Sequence, residues 1–127
     1  MGDPNDGFAQ YFVGQSYLAP VLDAPEIAIH NVTFEPGCRN HWHIHHGGAQ
    51  VLIAVGGRGY YQIDGQEPKG LKAGQAVCIP ADTKHWHGAA PGEAFSHLAF
   101  MVPAGDPSAM SNEWPEPVDA VAYERLD

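Results

Sequence analysis

The chain has 127 residues, enough to bury one core and too few for two self-sufficient ones, so a single domain over 1–127 is expected. Its formal charge is -9, from 15 acidic against 6 basic residues. The bases Arg39, Arg58, Lys69, Lys72, Lys84 and Arg125 are scattered, which argues against nucleic acid and anionic membrane as partners and leaves a small molecule.

Hydrophobic residues make up 44%, and 15 Gly with 11 Pro punctuate the chain, a balance that points to a turn-rich, all-β domain. No apolar run is long enough for a transmembrane helix, and the acidic start MGDPND lacks the features of a signal peptide. Cys38 and Cys78 form no spaced framework and read as free thiols, most simply small core residues, so a reducing cytoplasmic location is expected.

Alternating apolar and polar residues predict strands over Ser16 to Leu22, Ile27 to Glu35, His41 to His45, Gln50 to Val55, Gly59 to Ile63, Ala76 to Ile79, His85 to Ala89 and Ala94 to Val102. Eight short strands with no room for crossover helices indicate a sandwich or barrel. The Pro-rich, acidic segment from Pro103 to Pro117 reads as irregular. A short helix follows near Asp119 to Leu126, with Asp119 able to cap it. The N-terminal strand and this tail are candidates for a subunit interface, the tail wrapping a neighbour; a solvated end is the alternative.

Residues 41–50, HWHIHHGGAQ, hold four of the eight histidines. On a strand, residues two apart share a face, so His41, His43 and His45 should point one way and Trp42 and Ile44 the other. Two such imidazoles can converge on one metal ion, but histidines also alternate on solvated strands, and HxH alone does not decide. Downstream, GQAVCIPADTKHWHGAA sets out a strand, a Pro turn and a second histidine strand.

Together these stretches resemble the two sequence patterns of the cupin family. In the first, Gly, five residues, His-x-His, three or four residues, Glu, six residues, Gly falls on Gly37, His43, His45, Gln50 and Gly57. In the second, Gly, five residues, Pro-x-Gly, two residues, His, three residues, Asn falls on Gly74, Pro80, His85 and Ala89, with Asp82 in the turn position. The resemblance spans about Ile27 to Met101 and implies a cupin jelly-roll (double-stranded β-helix) barrel with one divalent metal per subunit in its mouth. Carried over by position, His43, His45 and His85 become imidazole ligands and Gln50 takes the glutamate's place.

Gln50 is the chief departure. A neutral amide leaves a divalent ion its full charge, which favours Lewis-acid chemistry and anion binding while weakening metal affinity. Alternatively, Gln50 packs beside a three-histidine site. Imidazole suits Zn, Cu, Fe or Ni and the amide oxygen admits Mn; the resemblance favours Mn or Fe.

By strand parity His97 and His30 turn towards the same pocket, with Val32 and Met101 as wall residues and His87 at the rim. His97 and His30 read either as a general base or hydrogen-bond donor to substrate, or as satisfied core side chains. His41 and His46 read as surface or mouth residues. Trp42, Trp86, Ile44, Val51, Ile53 and Val55 give the opposite faces an apolar character that a second protomer would cover, as a homodimer or dimer-based tetramer.

Within the family, VTFEPG, the fourth-ligand Gln, HWHGAAP, SHLAF and the tail WPEPVDAVAYERL are similar to cupin hydroxynitrile lyases and carboxymuconolactone decarboxylase-associated cupins. That similarity implies lyase chemistry on an oxygen-bearing substrate. A cupin dioxygenase using Fe(II) and O₂, and a non-catalytic binding or sensing module, are the competing functions.

Overall fold

The computed structural model of the chain describes residues 2–24 and 27–126. Strands β1 (Asp3–Pro4), β2 (Phe12–Val13), β3 (Ser16–Asp23), β4 (Ala28–Phe34), β5 (Arg39–Asn40), β6 (Ile44–His46) and β7 (Gly48–Ile63) are followed by β8 (Lys69–Lys72), β9 (Ala76–Ile79), β10 (His85–Ala89), β11 (Phe95–Pro103) and β12 (Ser111–Glu113). Helix α1 covers Ala120–Glu124, and 3-10 turns lie at Asp6–Tyr11 and Pro107–Ala109. Asp119 caps α1, accepting from the Val121 N–H at 3.1 Å, as its sequence position leads one to expect.

The strands pair antiparallel in one curled sheet, in the order β1-β3-β4-β11-β7-β10-β5-β2, with β8 and β9 also on β7 and a separate β6-β12 pair. Strand β7 is the spine. Its first half pairs with β11 and β9, and its second half with β10 and β8. The two strands expected at Gln50 to Val55 and Gly59 to Ile63 are therefore one.

The glycines between those halves, which resemble a turn signal, mark a bend. Ser96 pairs with Gly56 but His97 with Ala54, a bulge that leaves Val55 unpaired. Gly57 sits at φ +69°, where a Cβ would lie 1.9 Å from the Ala94 carbonyl oxygen.

Register places the site. Across β4, β11 and β7, Phe34 meets Phe95, Val32 meets His97, which in turn meets Ala54, and His30 meets Ala99, while Met101 meets Gln50. Period-2 alternation thus puts His30, Val32, His97, Met101 and Gln50 on one inner face. In β10, His85 and His87 share the inner face and Trp86 the outer one. The core beneath consists of Phe34, Cys38, Ala54, Leu71, Ala89 and Phe95.

Several expectations are corrected. Residues 41–45 are not one regular strand: the His41 N–H bonds to the Tyr11 carbonyl and Trp42 N–H to that of Glu116, so β5 stops at Asn40. Pairing resumes at His43, in an isolated bridge with His85. Cys78 is exposed, because its side of β9 faces outward; Cys38 is buried and its thiol is pushed up to about 12 by desolvation. Trp86 is covered by the chain's own tail, packing with Val118 and Tyr123, and its Nε1 donates to Gln62 Oε1 at 2.8 Å. The Tyr123 hydroxyl donates to the Ala89 carbonyl, and the Arg39 guanidinium lies 4.2 Å from the Tyr123 ring centre.

An alanine at position 57 must adopt left-handed backbone geometry and also displace the Ala94 carbonyl. Gly57→Ala should lower unfolding free energy by more than ~2 kcal/mol in urea denaturation, whereas Gly92→Ala, which meets nothing within 4 Å, should be near neutral.

Candidate metal centre

Three imidazoles meet where β6, β10 and the bridge at His43 come together. Ring centres are 4.1 Å apart for His43 and His85, 4.9 Å for His43 and His45, and 5.4 Å for His45 and His85. Each has one nitrogen engaged outside the cluster. His43 Nδ1 donates to the His41 carbonyl at 2.8 Å, His85 Nδ1 to the Thr83 carbonyl at 2.9 Å and His45 Nδ1 to Asn112 Oδ1 at 2.7 Å.

A neutral imidazole with its proton on Nδ1 has a bare lone pair on Nε2. Gln50 Oε1 lies 3.1 Å from His45 Nε2 and 3.2 Å from His85 Nε2. Two nitrogen lone pairs thus face a carbonyl oxygen, an arrangement of acceptors that a cation would satisfy. This donor set fits a divalent metal.

A second grouping overlaps the first: His43, His85 and His87 each offer a ring nitrogen within 4.8 Å of the others. His87 is less free. Its backbone N–H donates to Asn40 Oδ1 at 2.8 Å, which turns the Asn40 amide nitrogen onto the His87 ring, 3.1 Å from Nε2 and 3.3 Å from Nδ1. His87 Nδ1 also lies 3.3 Å from His97 Nε2, making a relay from Asn40 through His87 to His97. Among the described residues, His97 Nδ1 has no hydrogen-bond partner although it is buried.

The cluster opens into a cavity of about 390 Å³. His43, His45, Gln50, His87 and His97 line it, as do His30, Val32 and Met101; His85 stands behind, in contact with Gln50. The structure thus brings together every residue singled out from the sequence as ligand, base or wall. His41 contributes its carbonyl and does not line the cavity, and His46 is partly exposed, bonded to Asp82 and Glu113.

Sequence reasoning missed Phe8, Phe12, Asn40, Asn112 and Trp114. Trp114 lies over the His43 ring at 4.8 Å and stacks on Tyr11 at 4.3 Å, 8° from parallel. The aromatic spacing of the first twelve residues was the available signal. Among the described residues, no Asp, Glu, Lys or Arg lines the cavity.

Burial sets the protonation of the cluster. Desolvation disfavours imidazolium, so it pushes His85 and His97 down to about 4 and holds His43 and His87 well below the usual histidine range. All four are neutral at pH 7, as metal ligation or proton acceptance requires.

The same depression makes the fold acid-labile. Above about pH 6.5 these histidines are neutral in both the folded and unfolded chains and contribute no pH dependence. Below it the unfolded chain takes up protons that the folded chain refuses, so stability falls with pH down to about 4. Each such group removes up to about 1.4 kcal/mol per pH unit. The Tm of metal-free protein should be level from pH 8 to 7 and drop steeply between pH 6.5 and 4; a level Tm through that window would contradict the neutral cluster.

A barrel of antiparallel strands with a histidine cluster in its mouth that could hold a metal ion defines a class of small β-barrel proteins. Within that class the chain belongs to the cupin family: the Cupin domain family matches residues 30–99. It is 41% identical over 98 residues to an (R)-mandelonitrile lyase of Granulicella tundricola, a match covering 75% of this chain and 74% of that protein. A cupin-like protein of Thermotoga maritima is 32% identical with TM-score 0.84, covering 98% of this chain and 92% of the other. A DMSP lyase of Ruegeria pomeroyi shares the fold, at 17% identity and TM-score 0.66 over 91% of this chain and 57% of its own length. Among the described residues, no helix is long and apolar enough to cross a membrane.

Proposed function

We propose that this cupin is a metal-dependent lyase that cleaves a cyanohydrin to an aldehyde and hydrogen cyanide. The observation that carries the reading is the convergence of Gln50 Oε1 with the Nε2 atoms of His45 and His85 in a cavity that no carboxylate lines among the described residues. Similarity to an (R)-mandelonitrile lyase supports the substrate class. His43, His45, His85 and Gln50 would hold one divalent ion, with Mn or Fe favoured by family resemblance. These four are preferred over a set containing His87 because the His87 ring is held by Asn40, whereas Gln50 Oε1 meets the Nε2 atoms of His45 and His85.

When bound, the ion would supply Lewis acidity to the substrate oxygen, undiminished by a negatively charged ligand from these four residues. The chain does the rest. Phe8, Phe12, Leu18, Val32, Met101 and Trp114 give the cavity an apolar wall that excludes water and accepts an aromatic ring. With Asn40 donating to His87 Nε2 and His87 Nδ1 donating to His97 Nε2, neutral His97 carries its own proton on Nδ1; it accepts the hydroxyl proton on Nε2, in place of the His87 contact, while Asn40 holds the His87 ring. As the C–C bond breaks, its electron pair leaves with cyanide, which takes from His97 the proton that came from the hydroxyl and departs as HCN. His30, across the sheet from Ala99 at the same wall, would hydrogen-bond substrate. A second copy of the chain would cover the apolar outer face, where Val55 and Val102 are 45% and 47% exposed.

Protein loaded with Mn(II) or Fe(II) should release cyanide from mandelonitrile, and His97→Ala should slow this ~10²–10⁴-fold while keeping its metal. Oxygen consumption without cyanide release, or inactivity of fully metallated protein, would overturn the reading. Gln50→Glu should bind the metal more tightly and cleave more slowly, measured by chelator competition beside the cyanide assay.

A further inference from the structure

Consecutive residues of β12 and its end each meet a histidine of residues 43–46. Asn112 accepts from His45, Glu113 from His46 at 2.8 Å, and the Trp114 ring covers His43. In the β12-β6 pairing, Asn112 stands opposite His45. The C-terminal segment is thus a strap laid along the histidine ladder.

Its bond to His45 differs in kind from those that orient the other two rings. His43 and His85 each give their Nδ1 proton to a backbone carbonyl two residues earlier, those of His41 and Thr83. Neither of these acceptors belongs to the strap. The equivalent carbonyl for His45 would be that of His43, which already accepts from the His85 N–H at 2.9 Å in the bridge between the two segments. The His45 imidazole is instead oriented by a side chain 67 residues downstream.

We propose that Asn112 is a positioning residue that keeps the His45 proton on Nδ1, so that metal loading and docking of the strap are one coupled equilibrium. The inference rests on the metal reading above. With Asn112 in place, His45 Nε2 is bare and turned to Gln50; with the strap lifted, the ring is free to rotate and exchange its proton between nitrogens. Coupling is reciprocal: an ion that holds His45 with Nε2 bare favours the docked strap, and a docked strap raises affinity for the ion. Trp114 moves with Asn112, so the strap that prepares the ligand also closes one wall of the cavity.

The test uses full-length Asn112→Leu and Asn112→Asp. In metal-free parent protein, imidazole ¹⁵N NMR should show His45 with its proton on Nδ1, and Asn112→Leu should show a mixture of tautomers. Chelator competition should give Asn112→Leu a ~10–100-fold weaker Mn(II) affinity. Asn112→Asp, whose carboxylate accepts the same proton, should restore it. Hydrogen exchange of the amides of residues 111–114 should slow on adding Mn(II) to the parent and stay unchanged in Asn112→Leu. Parent-like affinity and tautomer in Asn112→Leu would sink the coupling alone; a parent that binds neither Mn(II) nor Fe(II) would sink the metal reading and the coupling with it.

Discussion

An imidazole can offer a lone pair to a cation only if its other nitrogen keeps the proton, and in a buried cluster that choice must be made by a fixed hydrogen-bond acceptor. Here the carbonyls of His41 and Thr83 and the amide oxygen of Asn112 make it for His43, His85 and His45. The consequence is electrostatic tension: with the protons turned outward, bare nitrogens and the Gln50 oxygen face one another at 3.1–3.2 Å. The barrel resists the relaxation that would relieve it. His43 and His85 are locked by mutual backbone bonds of 2.8 and 2.9 Å, and Gln50 sits within β7, paired on both sides.

The choice of an amide at position 50 has the same logic on the substrate side. Among the described residues, the cavity lining carries no carboxylate and no lysine or arginine. A divalent ion in such a site would keep its positive charge for an incoming oxygen, at the cost of weaker retention than a carboxylate gives. Deeper in, burial keeps His97 neutral at pH 7, the state the proposed base needs. One desolvated wall therefore serves both the metal ligands and the proposed base.

Much of this was legible in sequence because strand parity is a local rule. His85–Ala89 forms the strand its alternation predicts, and the inward placement of His30, Val32, His97 and Met101 follows from parity alone. The ligand spacing was legible only as a pair of patterns, since neither HxH nor HWH identifies a site by itself. What failed depended on distant pairing. Gly56 and Gly57 looked like a strand end but bend a strand that continues, because β11 and then β10 supply partners on either side. Lys69–Lys72 went unseen because Leu71 is its only large apolar residue. The strap was invisible for the same reason: Ser111, Asn112 and Glu113 are exposed and polar, and they become a strand only by pairing with β6. Asn40, on a strand of two residues, carries no periodicity at all.

The central claim is that His43, His45, His85 and Gln50, and not the neighbouring His87, hold one metal ion. Anomalous diffraction from crystals of Mn(II)-loaded protein, recorded on either side of the manganese edge, locates the ion directly. The account predicts a single peak bonded to Nε2 of His43, His45 and His85 and to Oε1 of Gln50, with Asn112 still on His45 Nδ1. A peak seated on His87 with His45 turned away, or no peak in protein shown by titration to be saturated with metal, would contradict it.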